Sequence, residues 1–305
     1  MKLMKPLKKG DLIAYIASSS PAEQDRAQAC FATMERDGYR VKVMPNAWGR
    51  DGMFANTDEL RAKDLRDAIE DPEVRMIVNI RGGYGAGRIT PMVPWRDLVS
   101  AGKLLCGFSD TTAFHLAIQA QGGVSLHGPD ALAFSRERPA WMWESFHNSL
   151  VGGDPFVPSA PAAEPLVSGK AKGRLVGGCL TLICDAIGTS REIDCNDAIV
   201  ALEDVGERPH RIDAMLVHLL QACDLGRAAG ILIGAMSGID EKREDDLDPT
   251  WLEIVRGLLG SLGVPVMVRA PFGHVPAYLT LPLGAEVEMD ADAGRLRLSK
   301  PYLKG

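Results

Sequence analysis

The sequence predicts an α/β protein built on a mainly parallel, doubly wound sheet. Short apolar runs typical of buried strands alternate with amphipathic stretches typical of helices, in the order β-α-β-α-β over residues 12–80. The chain has 305 residues, of which 46% are hydrophobic and 24% are charged. A chain of this length can bury a full core and favours two domains.

The first five elements follow one another closely. Strands are predicted over residues 12–17, 39–44 and 76–80. The first helix is expected to hold Pro21 in its first turn and to end before Gly38, and the second spans residues 58–69. Each helix connects two strands, which is the arrangement of a parallel sheet.

A glycine-rich loop over residues 81–88 follows the third strand. Arg88 stands where the dinucleotide fingerprint G-x-G-x-x-G requires its last glycine, so nucleotide-phosphate binding is disfavoured. A second interpretation is a tight turn rich in positive φ angles. A third is a loop that offers a backbone N–H beside the next strand's end, because carboxyl ends of neighbouring parallel strands meet in one crevice.

That next strand, residues 104–106, turns at Gly107 and delivers Ser109 to the start of a helix that reaches Ala120. A strand-to-helix turn of this kind exposes a serine as a nucleophile and aims free helical N–H groups at its target. Thr111 replaces the second glycine of the hydrolase pattern G-x-S-x-G. The alternative is therefore that Ser109, Asp110 and Thr111 only cap the helix.

The second half begins after a proline-rich stretch without periodicity, residues 152–172, which is interpreted as an interdomain linker between domains over 1–151 and 173–305. A buried strand over 198–202 ends in Glu203 and Asp204, and His274 lies on a later turn. Two carboxylates at a strand end indicate a loop rim or a functional site. The further elements predicted are helices from 209 and over 251–262, strands over 231–234 and 264–268, and a terminal hairpin over 283–298.

Composition limits the classes of function. A net charge of −6 without a basic stripe disfavours nucleic-acid or anionic-membrane binding. No apolar run has the length of a transmembrane helix and no convincing signal peptide is present, so a cytoplasmic protein is expected. The six cysteines lack C-x-x-C spacing and the six histidines lack H-E-x-x-H spacing, so no metal site is expected.

Several ordered motifs resemble the LD-carboxypeptidase family of serine peptidases, the S66 peptidases, and in particular its muramoyltetrapeptide carboxypeptidase branch. The resemblance spans roughly residues 10–292. The motifs that carry it are Arg81-Gly82-Gly83-Tyr84-Gly85, Gly107-Phe108-Ser109-Asp110-Thr111-Thr112-Ala113, His127-Gly128-Pro129, Leu175-Val176-Gly177-Gly178, Leu202-Glu203-Asp204 and Gly273-His274.

The resemblance implies a flavodoxin-like N-terminal domain that bears the nucleophile and a smaller α/β C-terminal domain that supplies an acid and a base. It implies a catalytic triad of Ser109, Glu203 and His274, which follow each other in the chain order of α/β-hydrolases. In that mechanism the backbone N–H groups of Gly83 and Asp110 are expected to form the oxyanion hole.

The family also implies a substrate, the L,D bond between meso-diaminopimelate and terminal D-alanine in murein tetrapeptide or its UDP-linked precursor. The implied setting is cytoplasmic cell-wall recycling by a homodimer without a cofactor. Arg81 and Arg88 are candidates for binding the substrate's free carboxylate, with surface ion pairing as their alternative. Two other functions stay open: a microcin-immunity-type serine hydrolase of aminoacyl-nucleotide conjugates, and a non-catalytic ligand-binding α/β protein.

Overall fold

The computed structural model describes residues 2–245 and 247–304, which form two β-sheets with helices packed on them. The strands are β1 (Leu12–Ile16), β2 (Arg40–Val43), β3 (Val74–Asn79), β4 (Leu104–Gly107), β5 (Ser125–His127), β6 (Glu164–Val167), β7 (Lys170–Cys179), β8 (Ala198–Val205), β9 (Gly230–Ser237), β10 (Val266–Val268), β11 (Leu281–Leu283), β12 (Glu286–Asp290) and β13 (Arg295–Leu298). The α-helices are α1 (Gln24–Arg36), α2 (Asp58–Glu70), α3 (Ala86–Ile89), α4 (Trp95–Ala101), α5 (Thr112–Ala120), α6 (Ala140–Val151), α7 (Leu180–Cys184), α8 (Pro209–Ala222) and α9 (Trp251–Leu259).

The first sheet has the strand order β11-β5-β4-β3-β1-β2, and its strands β1 to β5 are all parallel. The predicted α/β class with a mainly parallel sheet is thereby confirmed. Because β3 and β4 are neighbours, the glycine-rich loop after β3 and the turn after β4 leave the sheet at the same edge. The fold therefore places two predicted site segments side by side.

The second sheet has the order β13-β12-β7-β8-β9-β10-β6, with β8 near its centre. The residues of β8 alternate between two cores: Val200 and Leu202 pack in one apolar cluster, and Ile199 and Ala201 in another. A parallel strand covered on both faces needs an uninterrupted apolar run, which is the pattern the sequence has here.

Two element boundaries differ from prediction for local reasons. Helix α1 begins at Gln24 rather than near Pro21, because the glycine-rich loop holds the preceding backbone: Arg81 donates to the Pro21 carbonyl at 2.7 Å. Strand β8 continues to Val205, so Glu203 and Asp204 lie within the strand and not after it. Both carboxylates are buried there and accept hydrogen bonds, which removes the expected need for solvent.

Regular structure extends into residues 152–172, which the sequence assigns to a linker. Strand β6 lies there, and β7 begins there at Lys170. Pro165 is tolerated in β6 because β6 is an edge strand. Near the other end of the chain, β11 leaves the second half and pairs with β5 of the first sheet. The boundaries 1–151 and 173–305 therefore stay a prediction.

The two sheets touch where helix α5 begins. The backbone N–H of Cys179 donates to Thr112 Oγ1 at 3.1 Å, and Leu116 packs into a core of the second sheet. Gly178 has φ 138°, and a Cβ on it would lie 2.7 Å from Thr112 Oγ1, so only glycine allows this approach. No helix within the described residues is both long and apolar enough to cross a membrane.

Candidate active site

Ser109 is the first residue of a short 3₁₀ turn, Ser109–Thr111, between β4 and α5. Its backbone has φ 60°, in the left-handed region that a residue with a Cβ occupies only at a cost in free energy. Strain of this kind is concentrated at functional sites, where the surrounding structure holds it in place. The backbone of Ser109 is therefore that of a strained elbow.

The helix-cap alternative for this segment is wrong, because none of its side chains accepts a capping hydrogen bond at the start of α5. Asp110 Oδ2 accepts from the N–H of Ala86 at 2.7 Å, and Thr111 Oγ1 accepts from Asn79 Nδ2 at 2.9 Å. No described residue forms a hydrogen bond with Ser109 Oγ. The hydroxyl of Ser109 is left available for chemistry.

The glycine-rich loop lies against the elbow, as the strand arrangement predicted. A Cβ on Gly82 would lie 3.0 Å from the Ser109 Cβ, and the Asp110 carboxylate joins the two segments through Ala86 at the start of α3. Gly83, with φ 116°, is the next residue of the loop. The two expected oxyanion donors thus belong to segments in contact, while their role stays a proposal.

Glu203 and His274 form a close pair inside the second half. Glu203, which has no exposed surface, accepts from His274 Nδ1 at 2.7 Å and from the His274 backbone N–H at 3.2 Å, both at Oε2. Gly273 makes this possible: with φ 99° it passes so close that a Cβ would lie 2.6 Å from Glu203 Oε2. A larger residue before His274 would push the turn away from the carboxylate.

The contact between the two side chains lowers the pKa of Glu203 and raises the pKa of His274. Burial would raise the pKa of Glu203, but the side chains of His127 and His274 outweigh burial and lower that pKa to about 2. Burial would lower the pKa of His274, but its hydrogen bond to the Glu203 charge raises it above the ordinary value. Glu203 is therefore an anion at neutral pH, and it stabilises an imidazolium at His274.

The aromatic ring of Phe108, which precedes Ser109, brings the elbow to this pair. Its centroid lies 5.2 Å from that of His274, 5.5 Å from that of Tyr278 and 6.2 Å from that of His127. Ser109 Oγ and His274 make no hydrogen bond in this structure. Through Phe108, the elbow that bears Ser109 nevertheless lies beside the pair of His274 and Glu203.

The two arginines predicted to bind a carboxylate already have partners. Arg81 is exposed and donates to the Pro21 carbonyl, and Arg88 pairs with Asp58 at 2.7 Å with its guanidinium 5.0 Å from the Phe54 ring centroid. The hydrogen bond from Arg88 is the largest influence on Asp58 and lowers its pKa. Surface ion pairing therefore describes Arg88, and carboxylate binding stays a prediction for both residues.

Sequence reasoning missed Arg191, which lies in an irregular segment without a motif. Its guanidinium has no hydrogen bond or ion pair among the described residues, and its Nη1 is closed to water. A Cβ on Gly87 would lie 3.7 Å from its Nη2. Burial lowers the pKa of Arg191, against the charges of Asp185 and Asp110. Arg191 is thus an unpaired cation next to α3.

The cysteines beside this site carry protonated thiols. Cys106 and Cys179 are buried, and burial raises the pKa of each thiol well above its ordinary value, so neither is a thiolate nucleophile. Within residues 2–245 and 247–304, no cluster of three His, Cys, Asp or Glu side chains has the geometry of a metal site. The site presents a hydroxyl at Ser109, an imidazole at His274 and a carboxylate at Glu203.

Comparison with known proteins shows the family to which the chain is similar. A family model described as the LD-carboxypeptidase N-terminal domain matches residues 13–128, and one described as the LD-carboxypeptidase C-terminal domain matches residues 172–289. A probable murein peptide carboxypeptidase of Bacillus subtilis is 31% identical over 294 residues, covering 94% of this chain and 91% of the relative.

Several solved structures share the fold. Muramoyltetrapeptide carboxypeptidase from Oxalobacter formigenes matches with a TM-score of 0.85 and 27% identity, covering 94% of this chain and 97% of that one. MccF in complex with glutamyl sulfamoyl guanosine matches with a TM-score of 0.89 and 21% identity over 100% of both chains. At 21% identity, the likeness to MccF is a likeness of fold alone.

The strained backbone of Ser109 predicts a trade-off between stability and reactivity. Ser109→Ala and Ser109→Gly should both lose labelling by a fluorophosphonate probe, while both keep the fold. Only glycine relieves the left-handed strain, so Ser109→Gly should unfold with about 1 kcal/mol more free energy than Ser109→Ala in urea denaturation. Equal stability of the two variants would contradict the strain, and labelling of either would remove Ser109 as the nucleophile.

The raised pKa of His274 predicts the pH at which the labelling rate falls on acidification, here called the acid limb. If neutral His274 is the base, the rate falls as pH drops through its pKa, so the limb should lie above about 6.5, the ordinary histidine value. In Glu203→Gln the carboxylate that raises the pKa of His274 most is lost, so the limb should move to lower pH while the rate falls on the order of 10⁴-fold. Asp194→Asn, at an exposed carboxylate paired with Arg174, is the control. An unmoved limb would contradict the pairing.

Proposed function

This chain belongs to the LD-carboxypeptidase family of serine peptidases, and we propose that it cleaves the L,D peptide bond between meso-diaminopimelate and the terminal D-alanine of murein tetrapeptide. The observation that carries the proposal is the buried Glu203–His274 pair beside the strained elbow of Ser109. A helix cap and a structural histidine, as in a non-catalytic binding protein, give no reason for a strained serine next to a buried imidazole and carboxylate.

The proposed reaction follows from the hydrogen bonds. Because His274 Nδ1–H donates to Glu203, the lone pair of a neutral His274 is on Nε2, where it accepts the Ser109 proton as Oγ attacks the carbonyl carbon. His274 then gives that proton to the departing D-alanine amine, leaving an acyl ester on Ser109. Water, deprotonated by the same imidazole, hydrolyses the ester and restores the serine.

Stabilisation of the negatively charged intermediate is assigned to the backbone N–H groups of Gly83 and Asp110. The two segments are in contact, and a fixed N–H donor contributes about 2.7–4 kcal/mol to the transition state. The site has no mobile side chain in this role, so its donors are pre-organised by the glycine-rich loop and by the turn after β4.

The choice of substrate rests on the related proteins. A relative at 31% identity is named as a probable murein peptide carboxypeptidase, and a structural neighbour at 27% is a muramoyltetrapeptide carboxypeptidase. The second candidate is an aminoacyl-nucleotide conjugate, which is favoured by the fold likeness to MccF with its glutamyl sulfamoyl guanosine. Both substrates fit the same serine chemistry. Cytoplasmic cell-wall recycling and a homodimer complete the proposal.

The substrate assignment predicts a selective release of D-alanine. Murein tetrapeptide and UDP-linked muramoyl-tetrapeptide should both lose one alanine, as measured by mass spectrometry, and the isomer ending in L-alanine should not. Ser109→Ala should leave all three intact. Cleavage of an aminoacyl sulfamoyl adenylate, with the tetrapeptide untouched, would replace the murein proposal by the second candidate.

We expect Arg191 to bind the free carboxylate, since Arg81 and Arg88 have partners and Arg191 has none. The native enzyme should prefer the acid over the C-terminal amide of the same peptide. Arg191→Gln should remove that preference by lowering kcat/KM for the acid about 10- to 100-fold, the size of a hydrogen bond to a charged group. Loss of the preference in Arg81→Gln or Arg88→Gln instead would return the role to that residue.

A further inference from the structure

Two buried polar atoms face each other beneath the active site without a hydrogen bond. His127 Nε2 lies 3.7 Å from Glu203 Oε1, the carboxylate oxygen that His274 does not use. His127 is 1% exposed and Glu203 is 0% exposed. No described residue supplies a hydrogen-bond partner to either of these two atoms. Leaving them unpaired in the interior costs free energy, so the contact requires an explanation.

The contact joins the two sheets. His127 is the last residue of β5, where it is in register with Gly107 of β4 on one side and with Leu281 of β11 on the other. Glu203 belongs to β8 of the second sheet. His127 therefore reaches from the strand beside the nucleophile's strand to the carboxylate that serves His274.

Glu203 Oε1, at 3.7 Å, is the acceptor that His127 Nε2 faces. Phe108 and Phe272 cover its ring, with centroids at 6.2 Å and 5.9 Å. The third neighbour, His115, is committed: its pKa is lowered to about 3 by burial, so it is neutral, and it donates from Nε2 to the Gly107 carbonyl and accepts from Ser125 at Nδ1.

We propose that His127 is a positioning residue that donates its Nε2–H to Glu203 Oε1. The inference rests on the proposed function and deepens it. With Oε1 held by His127, the carboxylate cannot rotate about its last bond, so Oε2 stays directed at His274 Nδ1. His274 then keeps the tautomer and orientation in which Nε2 faces Ser109.

The proposal also predicts the direction in which the acid limb moves when the His127 donor is removed. The charged groups that act on His274 are Glu203, Asp204 and Asp130. A donor at Oε1 draws part of the Glu203 charge away from His274. Removing that donor leaves the whole charge on His274, raises its pKa and moves the acid limb of the reaction to higher pH.

The test compares two variants of His127 with one control variant of Tyr278. His127→Phe keeps a ring and removes the donor, and His127→Gln keeps an N–H donor. The control is Tyr278→Phe, which removes a buried hydroxyl that has no hydrogen-bond partner. Tyr278 lies beside Phe108 but outside the contact between His127 and Glu203. The readouts are the rate of Ser109 labelling by a fluorophosphonate against pH, and kcat and KM on murein tetrapeptide. The labelling rate needs no assumption about the peptide.

His127→Phe is expected to lower the labelling rate and kcat about 10- to 100-fold, the size of one hydrogen bond to a charged group, with KM unchanged and the acid limb at higher pH. His127→Gln should recover most of the rate, and Tyr278→Phe should match the native enzyme. A His127→Phe variant with the native rate and limb would overturn the proposal. So would equal losses in all three variants, which indicate packing.

A measurement on the native protein covers the case in which His127→Phe does not fold. In ¹⁵N-histidine NMR, His127 Nε2 should carry a proton, and its signal should shift in Glu203→Gln. An unprotonated Nε2 would overturn the proposal. If the native enzyme labels at Ser109 but leaves the tetrapeptide uncut, only the substrate assignment fails. If Ser109 does not label, the proposed function fails, and the NMR result still decides whether His127 donates to Glu203.

Discussion

The geometry of the site depends on the buried carboxylate of Glu203, which the side chains around it stabilise. An unpaired buried charge costs several kcal/mol, and here the Glu203 anion accepts two hydrogen bonds from His274 and faces His127. Those groups require the turn after β10 to pass very close to β8, which in turn requires glycine at 273. The shape of the second half near the site follows from stabilising this one charge.

The first half of the chain holds the strained backbone of Ser109, and the second half holds the buried charge of Glu203. The φ angle of Ser109 and the approach of Gly82 persist because Asp110 ties the elbow to α3 and Thr111 ties it to Asn79. The halves are then fixed to each other at Thr112, Cys179 and Leu116. These contacts limit the relative movement of the two sheets, which is what the proposed proton transfer from Ser109 to His274 would require.

Much of this was predictable from sequence because the signals were local. Apolar runs bounded by glycine and proline marked the strands, and the family motifs marked Ser109, Glu203 and His274. What escaped prediction depends on contacts between distant segments. The start of α1 is set by Arg81, and the burial of Glu203 and Asp204 by their partners. The position of His127 against Glu203 depends on packing between the sheets. No sequence pattern encodes such contacts.

Strand β11 has a consequence for how the protein is made. It comes from residues 281–283 and pairs with β5, which ends in His127. Because synthesis runs from the N-terminus onwards, β5 has no strand on its outer side until residues 281–283 have been made. His274 also emerges only at that late stage. Under the proposed mechanism, Ser109 is therefore synthesised well before its base His274, which becomes available at about the stage at which β11 joins the sheet.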